Sequence, residues 1–198
     1  MDDSLITPQE KDGLAEICNI GASKTSSYLT EKTGDKFQME VPEANIIRPQ
    51  DFINFYSDIT DNFDNPLTVV SSLEGTEGSI IISSSEENIR YLLSTKKKGD
   101  DFKKDVKEEF NEAVNKYIQG MNNFLGLQIN IGEFKTTYKY AGPVIYQKVK
   151  EFIRNNQDTN LFVTVTSLYI GDEKILDLLM VLSLNEIEKV TDPLNEMI

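Results

Sequence analysis

One order of elements runs through this chain twice, and that repetition limits the folds open to it. In the first half, Thr7-Pro8-Gln9-Glu10 supplies an N-cap threonine, a proline at the first helical position and a glutamate at N3, the signature of a helix start. Leu14, Ile17, Cys18, Gly21, Ala22, Thr25, Tyr28 and Leu29 then recur at helical spacing until Lys32-Thr33-Gly34-Asp35 ends the run. Phe37 to Pro42 alternates as a strand does, with Pro42 closing it. A short helix over 51–58 follows, then strands over 67–73 and 78–83 joined as a hairpin by Glu74-Gly75-Thr76-Glu77. Ser85 caps a further helix to about Thr95. After the linker Lys96-Lys97-Lys98-Gly99-Asp100-Asp101 the order repeats. A helix is predicted over 102–125, a strand over 127–131, a helix over 144–155, and a long hairpin over 161–170 and 174–184 turning at Gly171-Asp172-Glu173.

Composition narrows what such a repeat can do. The 198 residues include no histidine, which removes Ser-His and Cys-His nucleophile pairs and imidazole metal ligands. The single cysteine, Cys18, excludes an intramolecular disulfide and a zinc site of paired thiolates, and it falls on the apolar stripe as a small core residue. With 39% hydrophobic residues the chain can bury one substantial core. A formal charge of -13 argues against nucleic-acid or anionic-membrane partners, which reward clustered Lys and Arg. The acidic start lacks a signal-peptide core and no apolar run reaches membrane-spanning length, so no membrane insertion is expected and the cytoplasm is the expected compartment.

The repeat can be laid on itself in two ways. An offset of 92 pairs Glu16 with Glu108, Asn19 with Asn111, Gly34 with Gly126, Phe37 with Ile129 and Met39 with Ile131, without a gap. An offset of 96 pairs Glu16 with Glu112, Asn19 with Asn115, Leu14 with Phe110 and Ile17 with Ala113, but calls for a six-residue deletion before the strand. The offset of 92 is preferred because it keeps the helix-to-strand distance. Asp12, Glu16 and Asn19 lie at i, i+4 and i+7, so they share the helical face opposite the apolar stripe. The bland reading of that face is a set of solvated side chains, and Glu-x2-Asn alone carries no information. The repetition, Gly21 and a strand closing on Pro42 add what the short motif lacks. Asp100-Asp101 and Glu108-Glu109 lack the compact loop of a calcium site, and the three lysines of the linker read as a solvated run.

Glu16-Ile-Cys-Asn19-Ile-Gly-Ala, followed by Met39-Glu-Val-Pro42, resembles the first signature of the CheC/CheX/FliY phosphatases of bacterial chemotaxis. Leu73-Glu-Gly-Thr-Glu-Gly-Ser-Ile80 is similar to the CheC hairpin that follows, and Glu108-x2-Asn111 with Tyr117, Met121 and Leu125-Gly-Leu127 is similar to its second signature. Phe162-Val-Thr-Val-Thr resembles the strand near its end, so the likeness spans about residues 8 to 188. Two signatures in one chain favour CheC over CheX, and the lack of a following FliN-like module favours CheC over FliY.

The resemblance implies an α+β fold: one CheC-like domain over 1-198, with internal repeats of about 8-95 and 102-190. In it two motif helices pack on a mainly antiparallel sheet and are related by a pseudo-two-fold axis. It also implies a reaction, hydrolysis of the aspartyl phosphate on a phosphorylated CheY-type response regulator. Glu16 and Glu108 would pair with the regulator's lysine, Asn19 and Asn111 would aim the water, and Asp12 would assist binding. The metal would be Mg2+ carried by the partner, with no cofactor of the chain's own. The residue chemistry suits this role, because an amide offers both an acceptor and a donor without titrating. The second signature departs from the pattern. Lys104 stands where Asp or Ser is expected, Phe134 where Pro is expected, and Glu112-Ala113 where the first half has Ile20-Gly21. In the other register the second site is Glu112 and Asn115. Two readings of another class stand beside the enzyme: an interaction module that binds the phosphorylated regulator or the receptor deamidase CheD, and a FliY/FliM-like flagellar-switch component.

Overall fold

The computed structural model describes residues 6–64, 66–94, 98–125, 129–138, 147 and 160–187. Helix α1 spans Pro8–Thr33 and opens on the expected capping box: Glu10 N–H donates to Thr7 Oγ1 at 3.2 Å, and Thr7 N–H donates to Glu10 Oε2 at 2.7 Å. Gly34 closes it at φ +82°, a left-handed conformation that glycine adopts without penalty. Then come β1 (Phe37–Met39), β2 (Glu43–Ile47), α2 (Phe52–Thr60), the hairpin β3 (Pro66–Glu74) and β4 (Gly78–Ser85), and α3 (Glu86–Leu92). The second half holds α4 (Gly99–Leu125), β5 (Asn130–Tyr138) and the hairpin β6 (Leu161–Ile170) and β7 (Glu173–Ser183), followed by a 3-10 turn over Leu184–Glu186.

All seven strands join one antiparallel sheet in the order β1-β6-β7-β4-β3-β5, with β2 also on β6. The two hairpins meet at its centre, where Ile80 faces Met180 and Ile81 faces Leu179. Each half lends the strand after its long helix to the other half, since β1 and β2 pair with β6 while β5 pairs with β3. Read from either edge the order is the same, which places a pseudo-two-fold axis between β4 and β7. The fold is therefore α+β, with the halves interlocked.

Alternation along the strands separates two apolar layers. Ile80, Ile82, Met180 and Leu182 point to the face covered by α1 and α4, where they meet Leu14, Ile17, Phe110, Val114 and Tyr117. Ile81, Leu179 and Val181 point the other way and are covered by Phe52 and Tyr56 of α2. On the helical face α1 and α4 cross at two glycines. A Cβ on Gly120 would lie 3.0 Å from Gly21 Cα and from Ile20 O, and a Cβ on Gly21 would lie 3.0 Å from Tyr117 O. Next to this crossing the Thr25 hydroxyl donates to Ala113 O at 3.2 Å. Cys18 is fully buried with its sulfur 4.0 Å from Met180 Sδ, and burial pushes its thiol up to about 11.

Several boundaries differ from the expectation. The first strand stops at Met39, and Pro42 precedes a second strand, Glu43–Ile47, that the alternation rule misses because its four residues after the exposed Glu43 are all half-buried. Gly99, Asp100 and Asp101 belong to α4 and not to a linker. The two acids sit in its first turn, where the helix dipole favours them, and Lys103 pairs with Asp100 at 3.1 Å. The helix after Ser85 ends at Leu92, before Ser94 at φ +47°, and the strand expected over 127–131 is β5, over 130–138. The helix expected over 144–155 and most of the lysine linker lie outside the described residues. Among the described residues no helix is long and apolar enough to cross a membrane.

Two stability effects follow. Gly120→Val forces the helices apart and is expected to cost about 2–3 kcal/mol in a urea titration, as overpacking does. The thiol of Cys18 ionises less readily folded than unfolded, so stability falls as pH rises from 9.0 toward about 11. Cys18→Ala is expected to remove about 1 kcal/mol of the loss measured by urea titration between pH 8 and pH 10.

Candidate functional grooves flanking the helix crossing

Asp12, Glu16 and Asn19 project from one face of α1 as their spacing requires; the two acids are exposed and Asn19 is half-buried. Neither acid forms an ion pair with a described residue. Asn19 opens onto a groove of about 300 Å³ between α1 and β1, lined also by Ile20, Ser23, Lys24, Ser27 and Met39. A second groove of about 380 Å³ lies between α4 and β5, lined by Asn115, Lys116, Gln119, Asn123 and Ile131 among others. Both are open at the surface and lie at the small end of the volumes that hold small molecules.

The grooves correspond position by position. Asn19, Ile20, Ser23 and Ser27 match Asn115, Lys116, Gln119 and Asn123, an offset of 96 along the helices. Met39 and Ile131 face them at an offset of 92 along the strands. A side-chain stitch in each half shows where the difference arises. Ser26 Oγ donates to Phe37 O at 3.3 Å across 11 residues. Asn122 Nδ2 donates to Ile129 O at 2.8 Å and Ile129 N–H donates to Asn122 Oδ1 at 3.0 Å, across only 7. The missing four residues are one helical turn: α1 continues to Thr33, whereas α4 ends at Leu125. Each offset therefore holds for its own segment, and the gap is a turn, not six residues.

In this geometry Glu112 occupies the place of Glu16 and Glu108 that of Asp12. Glu108 and Asn111 are exposed on α4, and Asn111 lies one turn before the groove that Asn115 enters. Both acids of this face are paired within the helix, Glu108 with Lys104 at 3.8 Å and Glu112 with Lys116 at 3.1 Å.

Three charged residues stand in surroundings that the sequence did not reveal, Glu109 being noted there only as part of an acidic pair. Glu109 is buried, accepts a hydrogen bond from Tyr28 Oη at 3.1 Å and pairs with Lys32, which stands on the extra turn of α1. Burial pulls the Lys32 ammonium down, with the charge of Asp105 opposing, and pushes the Tyr28 hydroxyl up, helped by the charge of Glu112. The signal for Glu109 was its position on the stripe of Val106, Phe110 and Ala113. Asp177 is fully buried in β7, accepts a hydrogen bond from Ser167 Oγ at 2.6 Å and is ion-paired with Lys174 Nζ at 2.9 Å, with burial pushing its carboxyl up. Lys116 lines the second groove and is the third.

This sheet with its two long helices is the fold seen in solved structures of FliY, FliM and CheX. The structure is similar to FliY of Thermotoga maritima, with a TM-score of 0.66 at 18% identity over 96% of this chain and 98% of that one. It is also similar to the FliM middle domain of H. pylori, with a TM-score of 0.61 at 9% identity over 95% and 99%. CheX in the CheX-CheY-BeF3-Mg+2 complex of Borrelia burgdorferi matches with a TM-score of 0.51 at 16% identity over 83% of this chain and 96% of that one. No protein-family model and no curated protein sequence matches the chain.

The two stitches are unequal, which gives a test of the geometry. Asn122→Ala strips both backbone groups of Ile129 of a partner and is expected to cost about 1–3 kcal/mol. Ser26→Ala, which loses one hydrogen bond, is expected to cost about 1 kcal/mol or less, both read by urea titration.

Proposed function

We propose that the chain hydrolyses the aspartyl phosphate of a CheY-type receiver, acting through Glu16 and Asn19. The observation that carries this reading is the pair of matching grooves, each with a carboxylate one turn before an asparagine at its mouth. Glu16 has no ion-pair partner among the described residues and is exposed, so it is available to the ammonium of a receiver lysine. Docked in that way, Asn19 lies against the phosphoryl group. Its amide oxygen accepts a hydrogen bond from the water and its N–H2 group donates one to a phosphoryl oxygen, fixing the in-line approach. Water adds to phosphorus, the bond to the aspartyl oxygen breaks, and the products are inorganic phosphate and the free carboxylate. In this reading Mg2+ is carried by the receiver, where it offsets phosphoryl charge. In the second groove the corresponding pair is Glu112 and Asn115.

Complex formation between CheX and CheY in a protein of this fold supports a receiver as partner. The FliM match, over 95% of this chain, favours a second reading, a binding module of the flagellar switch that does not hydrolyse phosphate. CheD is a further partner for such a module. The readings separate on one measurement, the lifetime of the phosphoryl group on a receiver from the same genome. Under the phosphatase reading the wild-type chain shortens it, Asn19→Ala loses at least about 100-fold of that effect while still binding, and Glu16→Gln loses affinity for the phosphorylated receiver. Tight binding with an unchanged lifetime sinks the phosphatase reading in favour of the module.

A further inference from the structure

We infer that Lys116 closes the second groove to a receiver lysine, so that the chain works through its first groove alone. The inference rests on the phosphatase reading above and concerns how the two grooves divide the work. They match in the placement of Asn19 and Asn115, and each is lined by one lysine, but Lys24 of the first groove makes no ion pair with Glu16, whereas the lysine of the second is paired with its acid. Where the first groove has the neutral Ile20, the second has Lys116. Its ammonium sits 3.1 Å from Glu112, the counterpart of Glu16, and 5.8 Å from the centre of the Tyr28 ring. That ring is itself anchored, because the Tyr28 hydroxyl donates to buried Glu109. Lys116 is thus held between a carboxylate and an aromatic face at the position an incoming ammonium needs. The second acid of the face, Glu108, is paired with Lys104, while Asp12 and Glu16 have no ion-pair partner among the described residues.

An exposed pair four residues apart on a helix adds little to folding stability. Its consequence here is competition. A receiver lysine reaching Glu112 must displace Lys116, and the two cations then share one carboxylate within a few ångströms, a repulsion not fully screened at a half-buried docking surface. No such cation pairs with Glu16. Lys116 is therefore a specificity-determining residue, an internal substitute for the partner's lysine.

The test uses the full chain and a CheY-type receiver from the same genome, loaded with beryllofluoride and Mg2+ for calorimetry and phosphorylated for decay measurements. Wild type is expected to bind one receiver per chain and Lys116→Ile two. In the decay assay, Asn19→Ala combined with Lys116→Ile is expected to be faster than Asn19→Ala alone by about tenfold or more, and further change of Asn115→Ala to abolish the gain. Lys116→Gln, which keeps a polar side chain of similar reach, is expected to give the same direction and guards against a folding defect of the isoleucine variant. Two receivers on the wild-type chain, or no gain in stoichiometry and rate for either Lys116 variant while wild type remains active, overturns the inference and leaves the phosphatase reading intact. A wild-type chain that leaves the phosphate lifetime unchanged overturns that reading, and this inference with it.

Discussion

The contact on which the rest of the structure depends is the crossing of the two long helices at Gly21 and Gly120. With no side chain at either position, the backbones approach until a Cβ would touch the opposite helix at 3.0 Å. This approach seats both apolar stripes on one sheet face. By the helix offset of 96 the counterpart of Gly21 is Tyr117, whose backbone it meets, while the counterpart of Gly120 is Lys24. The grooves are a consequence: each opens between one crossed helix and its own following strand, β1 or β5, which pairs in turn with the hairpin of the other half.

Departures from symmetry are concentrated near this crossing and concern charge more than shape. The extra turn of α1 brings Lys32 onto buried Glu109, a pair that nothing in the other half mirrors, since the counterpart of Glu109 is Gly13. A buried carboxylate of this kind is tolerable only because an ammonium and a phenol hydroxyl both serve it. Lys116 breaks the symmetry at the groove itself. The repeat thus keeps its packing, which is set by apolar and small residues, while a few surface charges make the two grooves different.

Much of the fold was legible because its signals are local. The capping box at Thr7, the stripe on each long helix and the turns at Gly75 and Gly171 fix elements through contacts within a few residues. Strand β2 was not legible, since its burial comes from pairing with β6, more than a hundred residues away, and not from its own alternation. The start of α4 was hidden by three residues, Gly99 to Asp101, whose composition resembles a linker yet suits the first turn of a helix. Glu109 was hidden for a similar reason, because a carboxylate on an apolar stripe reads as an irregularity until Lys32 and Tyr28 are seen beside it.

The sequence by itself determined that an acidic, histidine-free chain repeats one order of elements and carries two carboxylate–asparagine faces on its long helices. It could not decide which residues of the second helix form the second face. Shifting a helix by four residues turns it through little more than one revolution, so offsets of 92 and 96 bury nearly the same stripe. Only tertiary structure separates them, because the strand beside each helix is held by a side-chain stitch at a definite height, Ser26 to Phe37 and Asn122 to Ile129. Those heights differ by one turn of helix, and that turn brings Asn115, with Lys116 beside it, into the groove.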